Sequence, residues 1–394
     1  MYNQTIFKTF ILAGIILFFS CDKDNYLSDV DPCAGEIFTL SIDKEITVPV
    51  RCFIEHTQAN DRCVVYQGFE RNNSQQKHII VLDKSDNSLK DFPFTGNMTD
   101  AVLVDDKIYF HVFGQSNVQS MDVETGTMTS LPVEINNTYH DLKSIFHFEN
   151  TLYYLFVNKS GNKFNVISYN IPSGQVKEVI SVFDIKNTEI DSWKKAFMKM
   201  YRNLSGDLCI WIMYANEAVY HEFVVYSFNL DQQKEEYVFI IDQISQSNNH
   251  QVKDDPDQPF FELNTFSFKS YLSVKYVINC HTGEVNKYSD KHHIKLPYII
   301  SPDGSITDLR TKNIIRNFNI PVRGNADWLD YDVAGNQMIY EDGGMILFLD
   351  LSTNCFVKQV TTTYKAIFDF DKKVLYDYDY GDTGSSDIIR MVSF

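Results

Sequence analysis

Ser120-Met121-Asp122-Val123-Glu124-Thr125-Gly126-Thr127-Met128-Thr129-Ser130-Leu131 reads as strand, turn, strand. Apolar residues lead into an Asp, a polar pair with Gly makes the turn, and an alternating run leaves it. Gly126 stands where a tight hairpin needs a positive φ. The pattern returns six more times in the 394 residues. Leu82-Asp83-Lys84-Ser85-Asp86-Asn87 precedes it; Tyr169-Asn170-Ile171-Pro172-Ser173-Gly174, Phe228-Asn229-Leu230-Asp231, Ile278-Asn279-Cys280-His281-Thr282-Gly283, Thr307-Asp308-Leu309-Arg310-Thr311 and Leu349-Asp350-Leu351-Ser352-Thr353-Asn354 follow. A recurring hairpin marks a repeat architecture, which overrides the two or three domains that length alone suggests.

Working outward, each hairpin is preceded by two more strands. Phe53-Ile54-Glu55 and Cys63-Val64-Val65-Tyr66 introduce the first unit, Ala101-Val102-Leu103-Val104 and Lys107 to Val112 the second, Ser144 to Phe148 and Leu152 to Val157 the third. Four short antiparallel strands per unit is the blade of a β-propeller. The hairpin positions 83, 122, 170, 229, 279, 308 and 350 are separated by 39, 48, 59, 50, 29 and 42 residues, against the roughly 40–50 that a blade needs. In the longest interval, Trp193, Phe197 and Met200 fall at helical spacing and predict a short helix within 184–200. The polar stretch Ser247 to Pro259, with Asp254, Asp255 and Asp257, reads as a second loop between blades. The shortest interval is too small for a full unit, so seven blades is the leading expectation, with six or eight as alternatives. The chain ends on three strands, Ala366 to Phe370, Val374 to Tyr378 and Ile388 to Val392. A strand near Ile37 to Val48 is therefore expected to complete the last blade and close the ring without a bare edge.

Composition agrees with an all-β fold: 44% apolar and 14% aromatic residues, with 23 Tyr and 30 Phe, favour strands. A net charge of −17 argues against a nucleic-acid partner, whose phosphates are held by Lys and Arg. It argues equally against an anionic membrane surface, so membrane attachment must be covalent or hydrophobic. Thr9 to Ser20 supplies it: an apolar run suited to a signal peptide and too short for a bilayer core of about 30 Å. Phe18-Phe19-Ser20-Cys21 resembles a bacterial lipobox with Phe18 in the usual Leu position, which makes Cys21 the lipidation site. Residues 1–20 are then a lipoprotein signal peptide, 21–36 a tether and 37–394 the propeller. Asp22-Lys23-Asp24-Asn25 resembles the acidic patch that sends Bacteroidetes lipoproteins to the cell surface. Cys33, Cys52, Cys63, Cys209, Cys280 and Cys355 remain, at spacings that form no zinc site; they read as core thiols, with a bridge among Cys33, Cys52 and Cys63 as the alternative.

Candidate chemistry is sparse. Asp377, Asp379 and Asp382, in a Gly-containing loop, are calcium candidates, since calcium takes several carboxylate oxygens. The competing reading places Asp377 and Asp379 on the solvent face of a strand whose other face carries Tyr376, Tyr378 and Tyr380. No Gly-x-Ser-x-Gly elbow occurs, and His111, His147, His292 and His293 form no ring or cluster. No catalytic residues and no cofactor other than calcium are assigned. Carboxylates paired across the central channel could still serve a carbohydrate-active enzyme. Trp211, Tyr214, Tyr220 and Trp328 read either as sugar-stacking rings or as packing between blades.

Together, the lipobox-like leader, the strand Phe38 to Ile42 and the Ile-x-x-Leu-Asp and Met-Asp-x-x-Thr-Gly hairpins resemble those of uncharacterised β-propeller lipoproteins of Bacteroidetes, related to TolB-like propellers. The resemblance implies fold and an outer-membrane address, periplasmic or cell-surface. It carries no catalytic residues. The expectation is a non-enzymatic, lipid-anchored propeller that binds a protein or glycan through one face of the ring, with the enzyme as the alternative.

Overall fold

The strands that sit second and third in each repeat are apolar on both faces. Thr151–Val157 and Cys63–Glu70 bury nearly every side chain, whereas outer strands such as Met128–Glu134 and Val285–Ser289 alternate. A sheet with doubly buried middle strands must be packed on both sides. A computed structural model of the chain shows how, describing residues 37–135, 141–157, 163–184, 196–216, 222–241, 249–254, 258–267, 272–289, 291–303, 305–316, 327–332, 336–342, 344–353, 355–361, 366–381 and 385–394.

Among these residues the chain forms eight antiparallel blades. The first comprises Cys52–Ala59, Cys63–Glu70, Asn73–Asp83 and Leu89–Thr95; the second Met98–Val104, Lys107–Val112, Asn117–Asp122 and Met128–Glu134; the third Asp141–Phe148, Thr151–Val157, Lys163–Asn170 and Val176–Asp184. The fourth comprises Ala196–Arg202, Leu208–Asn216, Glu222–Asn229 and Lys234–Ile241; the fifth Asn249–Asp254, Phe260–Ser267, Leu272–Asn279 and Val285–Ser289; the sixth His293–Lys295, Tyr298–Ile300, Ile306–Asp308 and Asn313–Arg316. The seventh comprises Asp327–Asp332, Gln337–Asp342, Met345–Asp350 and Cys355–Thr361. The eighth joins Ala366–Asp369, Val374–Asp379 and Ile388–Ser393 to Lys44–Thr47, which pairs antiparallel with Ile388–Ser393. The first strands of neighbouring blades touch one another, which places them at the axis and the fourth strands at the rim.

Each neighbouring pair of blades shares one apolar core. Phe110 and Val112 of the second blade meet Val65 and Ile79 of the first; Tyr154 and Phe156 meet Val118 and Val133; Trp211 and Val225 meet Phe261 and Ile278. Tyr66 of the first blade packs on Tyr378 of the eighth, ring centroids 5.2 Å apart. The core is thus distributed between blades, and no blade could bury its faces alone.

The structure corrects the expected blade number from seven to eight. The Asp308 hairpin does not merge with a neighbour. It belongs to the sixth blade, whose first three strands have three residues each. Residues 37–48 are not one strand: Phe38–Thr39 pairs parallel with Cys355–Thr361 on the rim of the seventh blade, and residues 40–43 lie outside any strand before Lys44–Thr47. No helix covers 196–200. Ala196–Arg202 is the first strand of the fourth blade, with Ala196, Met198 and Met200 buried against the third, a period of two that the 3.6 spacing mimicked; Trp193 lies outside the described residues. Within the expected loop 247–259, Asn249–Asp254 is a first strand paired with Phe260–Ser267, its polar sequence having hidden it. Cys52 and Cys63 are free, buried thiols, so the bridge considered between them is not made. Burial, with the nearby Asp91 and Asp387 charges, pushes the Cys52 thiol up to about 12. Cys355, expected as a core thiol, is instead disulfide-bonded; Cys21 and Cys33 lie outside the described residues.

Candidate functional site

The repeated hairpin is built by one device. The Asp or Asn that ends each third strand turns its side-chain oxygen back onto the turn, as Asx residues do. Asp83 accepts from Ser85 N and Oγ (2.8 and 2.6 Å), Asp122 from Glu124 N and Thr125 N (3.0 and 2.7 Å), and Asn170 from Ser173 N and Oγ (3.1 and 2.7 Å). Asn229, Asn279, Asp308 and Asp350 accept from the backbone of Gln232, His281, Arg310 and Ser352 at 2.7–2.9 Å. Gly126 has φ +72°, as the hairpin demands. These residues are scaffold, and they bring turns of adjacent blades into ion pairs: Arg62 with Glu124 (2.7 Å) and Lys84 with Asp369 (2.6 Å).

The short sixth blade leaves the fifth partly uncovered. Its three-residue strands face neighbours of eight, and the core between them is the smallest of the eight among the described residues: Phe260, Val277, Ile294, Ile299 and Leu309. The space left over is an open pocket of about 160 Å³. Phe260, Val277 and Leu309 give it an apolar floor, while Asn279, Asn286, Tyr288 and Thr307 supply amides and hydroxyls. Lys312 bridges the mouth to Glu284 at 2.7 and 2.8 Å. That contact, with a hydrogen bond from Asn286, holds the Glu284 carboxyl below its usual range. Burial, then the Glu284 charge, raises the Tyr288 phenol, so it stays a hydrogen-bond donor near neutrality. An apolar base ringed by a few polar groups is the usual form of a small-ligand site.

The residues singled out from sequence lie elsewhere. Asp377 is 1% exposed, not solvent-facing, because Val374–Asp379 is a middle strand of the eighth blade with both faces covered. Arg390 reaches both Asp377, at 3.9 Å, and Asp379; Asp382 lies outside the described residues. The two carboxylates that are described therefore face a guanidinium. Among the described residues no group of three or more His, Cys, Asp or Glu is placed to hold a metal ion. Asp100, on a first strand, is committed to a tie between blades, accepting from Ile145 N of the third at 2.7 Å. His111 Nε2 meets Gln115 O at 3.1 Å and His292 Nδ1 meets Ser289 Oγ at 2.9 Å, both local contacts. Trp211 and Tyr214 are fully buried between blades, which settles them as packing residues. Asn286 and Tyr288 carried no motif. The signal that could have found them was the 29-residue interval, since a truncated blade must leave part of its neighbour bare.

No family model matches the chain, and no curated protein does. Among solved structures it is similar to the Dos1 propeller, at TM-score 0.56 and 12% identity over 90% of this chain and 95% of that one. It is also similar to a europium-containing methanol dehydrogenase (TM-score 0.48, 9% identity, 90% and 93% covered) and to an oligogalacturonate lyase from Vibrio parahaemolyticus (TM-score 0.47, 10% identity, 91% and 98% covered). Identities this low show the fold alone. The chain is a β-propeller.

Proposed function

We propose that this propeller is a non-enzymatic binding protein of the bacterial envelope that takes a glycan in the pocket between its fifth and sixth blades. The observation that carries the reading is the pocket's lining: the apolar side chains of Phe260, Val277 and Leu309 beside the Asn286 amide and the Tyr288 hydroxyl. A sugar ring offers the complement, an apolar C–H face and an edge of hydroxyls. Glycan-array binding followed by calorimetry tests it. Asn286→Ala and Tyr288→Ala should each weaken the best glycan about tenfold or more, the loss of roughly one good hydrogen bond or stacking contact. Unchanged affinity in both would remove the pocket from the reading. A protein recovered from the envelope and still bound by both variants would move it to a protein partner. Polysaccharide turnover abolished by one Asp or Glu substitution would move it to a carbohydrate-active enzyme.

The same reading makes Cys21 the lipidated residue of an outer-membrane lipoprotein of the Bacteroidetes type, periplasmic or at the cell surface, with residues 21–36 as tether. Metabolic labelling with an alkyne fatty acid should mark the wild-type chain and not Cys21→Ser. Lys44–Thr47 is assigned the role of closing the ring on this account, supported by its pairing with Ile388–Ser393 and by Val48, which packs in the core shared by the eighth and first blades. Deleting residues 37–50 should then destabilise a blade more than 300 positions away. An unchanged melt would sink the assignment.

A further inference from the structure

The chain enters the ring from the outer edge of the seventh blade. Phe38–Thr39 lies there as a fifth strand parallel to Cys355–Thr361, with Phe38 opposite Lys358 and Thr39 opposite Gln359. Leu40 N donates to Gln359 O at 2.8 Å, and Gln359 Nε2 donates to Thr39 Oγ1 at 2.9 Å. Both residues of the strand are exposed, Phe38 by 65%. Two residues of pairing with so little burial do not offset the entropy of ordering the segment. Something else must hold it against the blade.

A covalent bond stands in the right place. Cys355, the first residue of the strand that receives Phe38–Thr39, is disulfide-bonded. Of the six other cysteines in the sequence, Cys52, Cys63, Cys209 and Cys280 are free and buried. Elimination leaves Cys21 and Cys33, both N-terminal to Phe38. Cys33 precedes Phe38 by five residues, and Cys355 precedes Lys358 by three. Parallel strands run back towards the same end, and five residues reach up to about 17 Å where three reach about 10 Å. The chain before Phe38 is therefore long enough to bring Cys33 to Cys355. Cys21, 17 residues before Phe38, would close a longer loop at a higher entropic cost. Its thiol is also the one assigned to lipid, and a thioether sulfur cannot join a disulfide.

We propose that Cys33 and Cys355 form a disulfide that fastens the N-terminal tether to the rim of the seventh blade. The two Sγ atoms join as their thiols give up two protons and two electrons, which pass to an oxidised dithiol of the thiol–disulfide exchange class. The bond requires an oxidising compartment, with or without lipid at Cys21. On the envelope reading it also redirects the pull of the anchor. The 12 residues from Cys21 to Cys33 are then the whole spacer, with a flexible reach of roughly 20 Å. Tension falls on the outer edge of the seventh blade and is kept off Lys44–Thr47, the strand paired with Ile388–Ser393.

The test is peptide mapping by mass spectrometry of the full chain recovered from an oxidising envelope and alkylated in denaturant without reductant. Hydrogen exchange of wild type, Cys33→Ser and Cys355→Ser runs beside it. The expected result is one peptide pair joining Cys33 to Cys355, with Cys52, Cys63, Cys209 and Cys280 alkylated. Either variant, or reductant added to wild type, should speed exchange of the Leu40 amide at least tenfold. The amides of Val64, Val65 and Tyr66 should keep wild-type protection, which separates release of the tether from unfolding. The proposal is overturned if Cys33 is alkylated without reductant, if Cys355 is joined to Cys21 or to a second copy of the chain, or if Leu40 exchanges alike in wild type and both variants. A Cys21–Cys355 bond would remove lipidation of Cys21 as well. A Cys33–Cys355 bond in a chain that no fatty acid labels would support the disulfide and remove the lipidation alone.

Discussion

The two faces of the first blade carry opposite solutions to burying polar groups. Towards the eighth blade, Asp387 is fully buried, 0% exposed, yet accepts from Arg71 Nη2 (2.6 Å), Cys52 N, Tyr378 Oη and Gly381 N (3.0 Å each). Towards the second blade, Gln67 accepts and donates nothing. One face spends its carboxylate on joining the two ends of the chain, since Asp387 and Cys52 are 335 positions apart. The other leaves both ends of a buried amide unpaired.

The sharpest way to break this contrast is at the saturated face. Asp387→Ala removes four acceptor contacts and leaves the Arg71 guanidinium, whose side chain is 14% exposed, without its carboxylate and with Gly381 O as its remaining acceptor at 2.9 Å. Breaking a buried pair from one side costs about 3–5 kcal/mol. Denaturant titration should show that loss with the midpoint lowered. A shift below about 1 kcal/mol would mean that Arg71 and the backbone donors find other partners, and the joint would not depend on Asp387.

The other face allows a sharper comparison because its two glutamines can be changed alike. Gln58 donates to Ala101 O at 3.0 Å and accepts from Leu103 N at 2.7 Å. Gln58→Leu strands both, and should cost about 1–3 kcal/mol. Gln67→Leu strands nothing, and should be neutral or stabilising by up to about 2 kcal/mol. Equal losses in the two variants, read by thermal melts, would show that Gln67 is held by ordered water as firmly as Gln58 is by backbone.

Much of this was legible in the sequence, and the part that was not has a physical reason. All seven hairpin positions read from the repeat are Asx turns in the structure, because a turn is decided by residues next to one another. The blade count came out one short at a single place. The 29-residue interval around Asp308 looked too short for a blade, and strands of three residues show how a blade fits it. Asp377 misled because alternation predicts a wet face only where one face is dry, and a middle blade strand has two. The candidate site was hidden further, since Asn286 and Tyr288 belong to no local pattern. Their environment is set by the neighbouring blade.

The smallest expected effect is a control on the contrast between faces, because the hairpin end of the first blade serves both. Arg62 reaches Glu124 of the second blade and Lys84 reaches Asp369 of the eighth, and between them Asp83 holds the turn. The Ser85 hydroxyl and N–H lower the Asp83 carboxyl, and the Thr125 N–H lowers that of Asp122 in the same way. A folded-state pKa below the unfolded one gives stability that is fully present above about pH 4 and lost as pH falls through the folded value. Screened by solvent, each is worth about 0.5 kcal/mol or less. Asn170, Asn229 and Asn279 make the same turn without a titrating group. Asp83→Asn with Asp122→Asn should therefore leave the melt at pH 7 nearly unchanged and flatten its fall between pH 4 and pH 2 by about 1 kcal/mol at most. An unflattened fall would assign acid sensitivity to carboxylates away from the hairpins.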